Sequence, residues 1–81
     1  MDYRAHSGIT YEITTLALAH EPGFSVELSD LTGGGGVVAE VLVRGGIVTL
    51  VHQAPLPAVI YSWWASAVEL EASQRGAQPD V

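Results

Sequence analysis

The sequence predicts an α+β domain, a four-stranded antiparallel meander with one C-terminal helix packed on one face. Three features support this: two β-branched runs are separated only by Gly45-Gly46, an alternating run precedes them, and a segment without glycine or proline follows them. With 48% apolar and 15% charged residues, the chain has the composition of a folded protein, and its 81 residues suffice for a single domain, 1–81. We expect residues 1–7 and 76–81 to be frayed termini.

The first predicted strand lies within residues 9–20, and its assignment depends on two opposing propensities. The segment begins with β-branched and aromatic residues, which favour a strand, and continues with Leu-Ala-Leu-Ala, which favours a helix. We assign a strand. The alternative is an N-terminal helix, which leaves a three-stranded sheet and the C-terminal helix.

The remaining three strands have clearer patterns. Residues 24–31 alternate between apolar and polar side chains, as a half-buried strand does. The runs 37–44 and 47–53 form a hairpin, because two glycines supply the positive φ that a tight turn needs. Counting outward from this turn pairs Ala39 with His52 and places His52, with Val48 and Leu50, on the apolar face of the hairpin, which we expect to be the core.

The other face of the hairpin is more apolar than an ordinary solvent-facing surface. Leu42, Ile47 and Val51 share it with polar residues. An antiparallel sheet that faces water on one side usually alternates more cleanly. We therefore expect another surface to cover part of this face.

The C-terminal helix follows Pro57, a residue suited to a first helical turn, and ends near Gly76. At about 100° per residue, one apolar stripe should lie on the sheet. The residues of this stripe are Val59, Ile60, Trp63, Ala67 and Leu70.

A second apolar row on the helix, formed by Tyr61, Trp64 and Val68, is not needed for that contact. Tryptophan and tyrosine are favoured at protein interfaces, so we expect this row to dock another subunit. On this interpretation Trp64→Asp disrupts assembly and leaves the fold intact, whereas Trp63→Asp unfolds the domain. The alternative is one wide apolar stripe, with Trp64 along the margin of the core and its N–H in water.

Composition excludes several classes of function. Nine acidic residues against three arginines give a net charge of −6, which disfavours nucleic acid. The absence of cysteine excludes disulfides and thiolate chemistry, and the absence of lysine excludes a P-loop. Residues 45–68 carry no charge, but their glycines and prolines interrupt any membrane-spanning helix. The N-terminus lacks the features of a secretory signal, and we expect a cytoplasmic protein.

Few residues are candidates for chemistry. His52, at the end of a strand, is a weak catalytic candidate, and a buried histidine bonded to backbone is the commoner case. His6, His20 and Glu21 lack the spacing of a zinc motif, so we expect no metal. The run Gly33–Gly36 is followed by a strand and not by a helix, so it does not indicate a phosphate loop or a cofactor.

The sequence therefore predicts a small acidic protein–protein interaction module without chemistry of its own. It would act as a homo-oligomer or as an accessory subunit, through the helix row or through the mixed face of the hairpin. One alternative is a small enzyme or ligand-binding protein with a pocket near His52, for an unidentified small molecule. Another is an acidic inhibitor or immunity-type protein that masks a basic site.

Overall fold

The computed structural model describes residues 2–34 and 36–76, which form one antiparallel sheet with a helix against it. In chain order the elements are β1 (Asp2–His6), β2 (Ile9–Ala17), β3 (Phe24–Asp30), β4 (Val37–Arg44), β5 (Ile47–Gln53) and α1 (Ala58–Gly76). Each strand pairs with the next, so the sheet order is that of the chain. The α+β class, the meander and the C-terminal helix are confirmed, and the segment from residue 9 to residue 17 is a strand.

The predicted number of strands was wrong, because the N-terminal segment is not frayed. Residues 2–6 form β1, which pairs with β2 from Asp2↔Ile13 to His6↔Ile9. Ser7 (φ 51°) and Gly8 (φ 79°) make the tight turn between them, with the two positive φ values of a type I′ hairpin. Met1 and residues 77–81, the rest of the predicted frayed ends, lie outside the described residues, and residue 76 belongs to α1.

The hairpin of β4 and β5 has the predicted turn and, over its first half, the predicted register. Gly45 and Gly46 have φ values of 56° and 79°. Pairs from Arg44↔Ile47 to Val41↔Leu50 follow as expected, but a β-bulge then shifts the register so that Glu40 faces His52. The predicted pair of Ala39 and His52 was therefore wrong, because the bulge inserts one residue and reverses the side of the sheet to which later residues point.

The core lies between α1 and the three central strands. Alternate residues of β2, β3 and β4 point toward the helix, and every buried apolar residue of the sheet belongs to these strands. The core consists of Tyr11, Ile13, Phe24, Val26, Leu28, Ala39, Val41, Val43, Ile60, Trp64 and Val68.

The face of α1 that packs on the sheet differs from the predicted one. Ile60, Trp64 and Val68 are buried, whereas Val59 and Leu70 of the predicted stripe are exposed. The remaining members of that stripe, Trp63 and Ala67, are partly buried beside the core. The helix is thus rotated from its predicted orientation by nearly one residue position, roughly 100°. A helix with apolar residues on most of its surface does not specify by itself which of them face the sheet.

The helix is narrower than the sheet on which it packs. Five strands about 4.8 Å apart span about 19 Å, and a helix with its side chains is about 10–12 Å across. Helix α1 packs on β4, and both edge strands, β1 and β5, lack buried residues. Among the described residues, no helix combines the length and apolar character that a membrane crossing requires.

Candidate interaction surface

The whole of β5 is exposed, although most of its residues are apolar. All seven residues from Ile47 to Gln53 are exposed, and four of them are aliphatic. Ile47 is 70% and Leu50 57% accessible, and Val48 and Val51 are each about half accessible. Single exposed aliphatic residues are ordinary, but a contiguous apolar patch is a common mark of an interaction site.

Exposed aliphatic residues lie on both faces of β5. Val48 and Leu50 are the neighbours of Val43 and Val41, so they extend the apolar surface of the core beyond the cover of α1. On the other face, Ile47 lies beside Arg44. The prediction that Val48 and Leu50 belong to the core was wrong, because both are exposed. Their exposure could have been expected, because β5 is the last strand of a sheet that has only one helix to cover it.

The opposite edge of the sheet has the composition expected of a water-facing strand. On the side of the sheet that faces α1, β1 places the polar residues Asp2, Arg4 and His6 in register with β2. The equivalent positions on β5 are Val48 and Leu50. Natural proteins commonly protect edge strands with charged residues, and β1 has this protection while β5 has no charged residue.

The backbone of β5 is also available along its outer edge. Among the described residues, no strand lies beyond β5. A two-residue hairpin closes on a hydrogen-bonded pair, here Arg44↔Ile47, and hydrogen-bonded pairs then alternate along the ladder. The N–H and C=O groups of Val48 and Leu50 therefore point away from β4 and are free to pair with another strand.

The bulge determines the positions of Val51 and His52. Val51 is the extra residue, without a register partner in β4, and it is exposed. His52 lies beside Glu40 and not on the apolar face where the sequence placed it. It is exposed, and its Nε2 atom is 3.3 Å from the carbonyl oxygen of Val37.

The predicted exposed row on α1 does not exist as a unit. Trp64 is 2% and Val68 6% accessible, so both belong to the core and neither can be an exposed docking residue. Tyr61 is exposed and packs edge-on against Trp64, with ring centroids 6.4 Å apart. Leu70, on another side of the helix, lines a groove against β1 and β2.

The mixed outer face of the hairpin is only partly apolar. Leu42 is half-buried and lies between Ser25 and Thr49 in register, whereas Ile47 and Val51 are exposed. Ser25, between Leu42 and Leu16 in register, is buried. On this face of the hairpin, the exposed apolar residues are therefore confined to β5, where Ile47 and Val51 lie.

A shallow groove of about 350 Å³ lies at the other edge of the sheet, between β1, β2 and the second half of α1. Its lining residues are Asp2, Ile13, Thr14, Thr15, Ala67, Leu70 and Glu71. His52, on the opposite edge strand, does not line it, so this groove is not the pocket that the sequence suggested. Within residues 2–34 and 36–76, no three His, Asp or Glu side chains are grouped as a metal site requires.

Comparison of the chain with protein-family models, with curated proteins and with solved structures finds no match.

Proposed function

We propose that this chain is a small protein–protein interaction module that binds its partner along β5. The contact surface comprises the outer edge of β5, its exposed residues Ile47, Val48, Leu50 and Val51, and the adjoining Leu42 and Tyr61. The partner contributes an extended segment to the sheet. No chemical step by residues of this chain is part of the proposal.

One observation supports this proposal above the others, namely the difference between the two edges of the sheet. Both edges extend beyond the cover of α1, but β1 carries Asp2 and Arg4 whereas β5 has no charged residue. An aliphatic edge strand costs solubility and invites aggregation unless it is covered. In an acidic chain with 15% charged residues, an uncharged edge is best explained by a partner that covers it.

Small size supports the same interpretation. A domain of this length buries only about 60% of the surface that its unfolded chain exposes. The chain has no disulfide to compensate. Association with a partner adds buried apolar surface and stabilises the folded state by mass action.

The test uses Leu50→Lys, with Ala5→Lys on the other edge strand as the matched control. Both positions are exposed, so we expect each substitution to change the free energy of unfolding by less than about 1 kcal/mol. Sedimentation measures self-association, and affinity capture with identification measures binding of other proteins. We expect Leu50→Lys to abolish the association and Ala5→Lys to preserve it.

Two results would overturn the proposal. One is a wild-type chain that stays monomeric up to about 1 mM and binds no identified protein. The other is an association that Leu50→Lys leaves unchanged, because the partner would then bind elsewhere on the molecule.

A further inference from the structure

Resting on the proposed function, we infer that the partner at β5 is a second copy of this chain. The two copies pair antiparallel along β5 around a two-fold axis perpendicular to the sheet, with Thr49 opposite Thr49 of the second copy. The two five-stranded sheets become one sheet of ten strands, with both helices on the same face.

The exposure of β5 on both faces favours a strand as the partner. Ile47 is exposed on one face of the sheet, and Val48 and Leu50 on the other. A helix or loop docked on either face would leave the other face in water. An added strand supplies neighbouring side chains to both faces and also bonds the free backbone groups of the edge.

Symmetry and side-chain alternation restrict the register. In a symmetric antiparallel pair, facing residues must point to the same side of the sheet, so one residue lies opposite its own copy. With Thr49 at this centre, Val48 faces Leu50 and Ile47 faces Val51, each pair occurring twice. Aliphatic residues then face aliphatic residues throughout, and paired threonines are favourable cross-strand neighbours.

The direction of the backbone groups agrees with this register. The N–H and C=O groups of Val48 and Leu50 point outward from the hairpin. In the proposed pair Val48 faces Leu50 of the second copy, so each N–H donates to the facing carbonyl. The two symmetric pairs give four hydrogen bonds, and Thr49 occupies the closer, non-hydrogen-bonded position between them.

Charge favours a second copy over a basic partner. The chain carries a net charge of −6, yet none of its nine acidic residues lies on β5. Arg44, the charged residue nearest the start of the strand, is paired with Glu21 at 2.6 Å. An edge without charge does not attract a basic segment, and it places no like charges directly opposite each other when it lies against its own copy.

The test uses single-cysteine variants, which give an unambiguous result because the chain has no cysteine of its own. In the proposed dimer the two Thr49 Cα atoms are about 4.5 Å apart, within the range that a disulfide spans. Ile47→Cys is the control, because the two Ile47 residues lie four positions apart along the strand, about 13 Å. Ile47 is the most accessible of the exposed large hydrophobic residues, so random collision would cross-link it readily.

We expect Thr49→Cys to form a disulfide-linked dimer at least about tenfold faster than Ile47→Cys under mild oxidation. We also expect the wild type to show a concentration-dependent dimer in sedimentation between about 1 µM and 1 mM, because a single strand pair is a small interface. Equal rates of cross-linking, or faster cross-linking of Leu50→Cys, would overturn the inferred register and with it the dimer.

The experiments distinguish failure of the homodimer from failure of the interaction module. The wild type could prove strictly monomeric and bind another identified protein, with Leu50→Lys abolishing that binding. This result would overturn the homodimer and leave the interaction module intact. A monomer that binds no identified protein would overturn both.

Discussion

At the scale of single residues, the cross-strand pair of Tyr3 and Glu12 has a titration that reports on the N-terminal hairpin. The two residues face each other on β1 and β2. A hydrogen bond to the Glu12 carboxylate, and secondly its negative charge, raise the pKa of Tyr3 above its ordinary value of 10.0. Since the pKa is raised in the folded state, the interaction stabilises the fold below pH 10 and is lost as the pH rises through the folded-state pKa.

Glu12→Gln is therefore expected to return the pKa of Tyr3 toward its ordinary value. Carbon-detected NMR titration of the three labelled tyrosines measures this shift residue by residue. Glu27→Gln, on a strand that is not adjacent to β1, serves as the control and should leave Tyr3 unchanged. A Tyr3 titration that Glu12→Gln does not alter would show that the Tyr3 hydroxyl does not bond to the Glu12 carboxylate in solution.

At the scale of elements, the two adjacent tryptophans of α1 show which side of the helix faces the sheet. Trp64 is buried over the central strands, and Trp63 is only partly buried on the flank. The buried Nε1–H of Trp64 has no acceptor among the described residues. An unsatisfied buried donor costs about 1–3 kcal/mol, so the packing of the indole ring, and not its polar group, is what stabilises this position.

We expect Trp64→Ala to lower the free energy of unfolding by about 3–5 kcal/mol, the usual cost of removing a large core side chain. Trp63→Ala should cost less than half of that, and Trp64→Phe should be tolerated better than Trp64→Ala because it keeps a ring and removes the unsatisfied N–H. Urea unfolding followed by far-UV circular dichroism measures all three variants. A larger cost at Trp63 than at Trp64 would restore the helix orientation expected from the sequence.

At the scale of the whole molecule, a single helix is set against a sheet that is too wide for it. The helix covers β2, β3 and β4, and the two edge strands, β1 and β5, extend beyond it. One edge is polar and suited to water, whereas the other is aliphatic on both faces. This asymmetry, in a chain without disulfides, is the physical basis for assigning the interaction to β5.

Local signals predicted much of this fold, and packing determined the rest. The two-glycine turn predicted the second hairpin and half of its register, because positive φ at two positions permits few alternatives. The bulge that moves His52 to the polar face has no comparable signal in the sequence. The Ser7-Gly8 pair indicates a turn, but of residues 2–6 only Tyr3 has a high β-propensity, so local pattern alone does not predict a strand before it.

The candidate surface was predicted only in part for a similar reason. Ile47 and Val51 were identified from the mixed face of the hairpin, and both are exposed. Trp64 and Val68 were misplaced because the amphipathic pattern of α1 is weak, so contact with the sheet determines the orientation of the helix. The exposure of Leu50 depends on which strands the helix reaches, and no local pattern contains that information.

The most direct measurement is amide hydrogen exchange along β5 as a function of protein concentration. If the outer edge is where the chain associates, the amides of Val48 and Leu50 exchange rapidly in dilute solution and become protected as the concentration rises. Those of Ile47 and Thr49, which bond to β4, are equally protected throughout. Two results would contradict self-association along β5. One is that the amides of Val48 and Leu50 are already protected at the lowest concentration, and the other is that they remain unprotected at the highest.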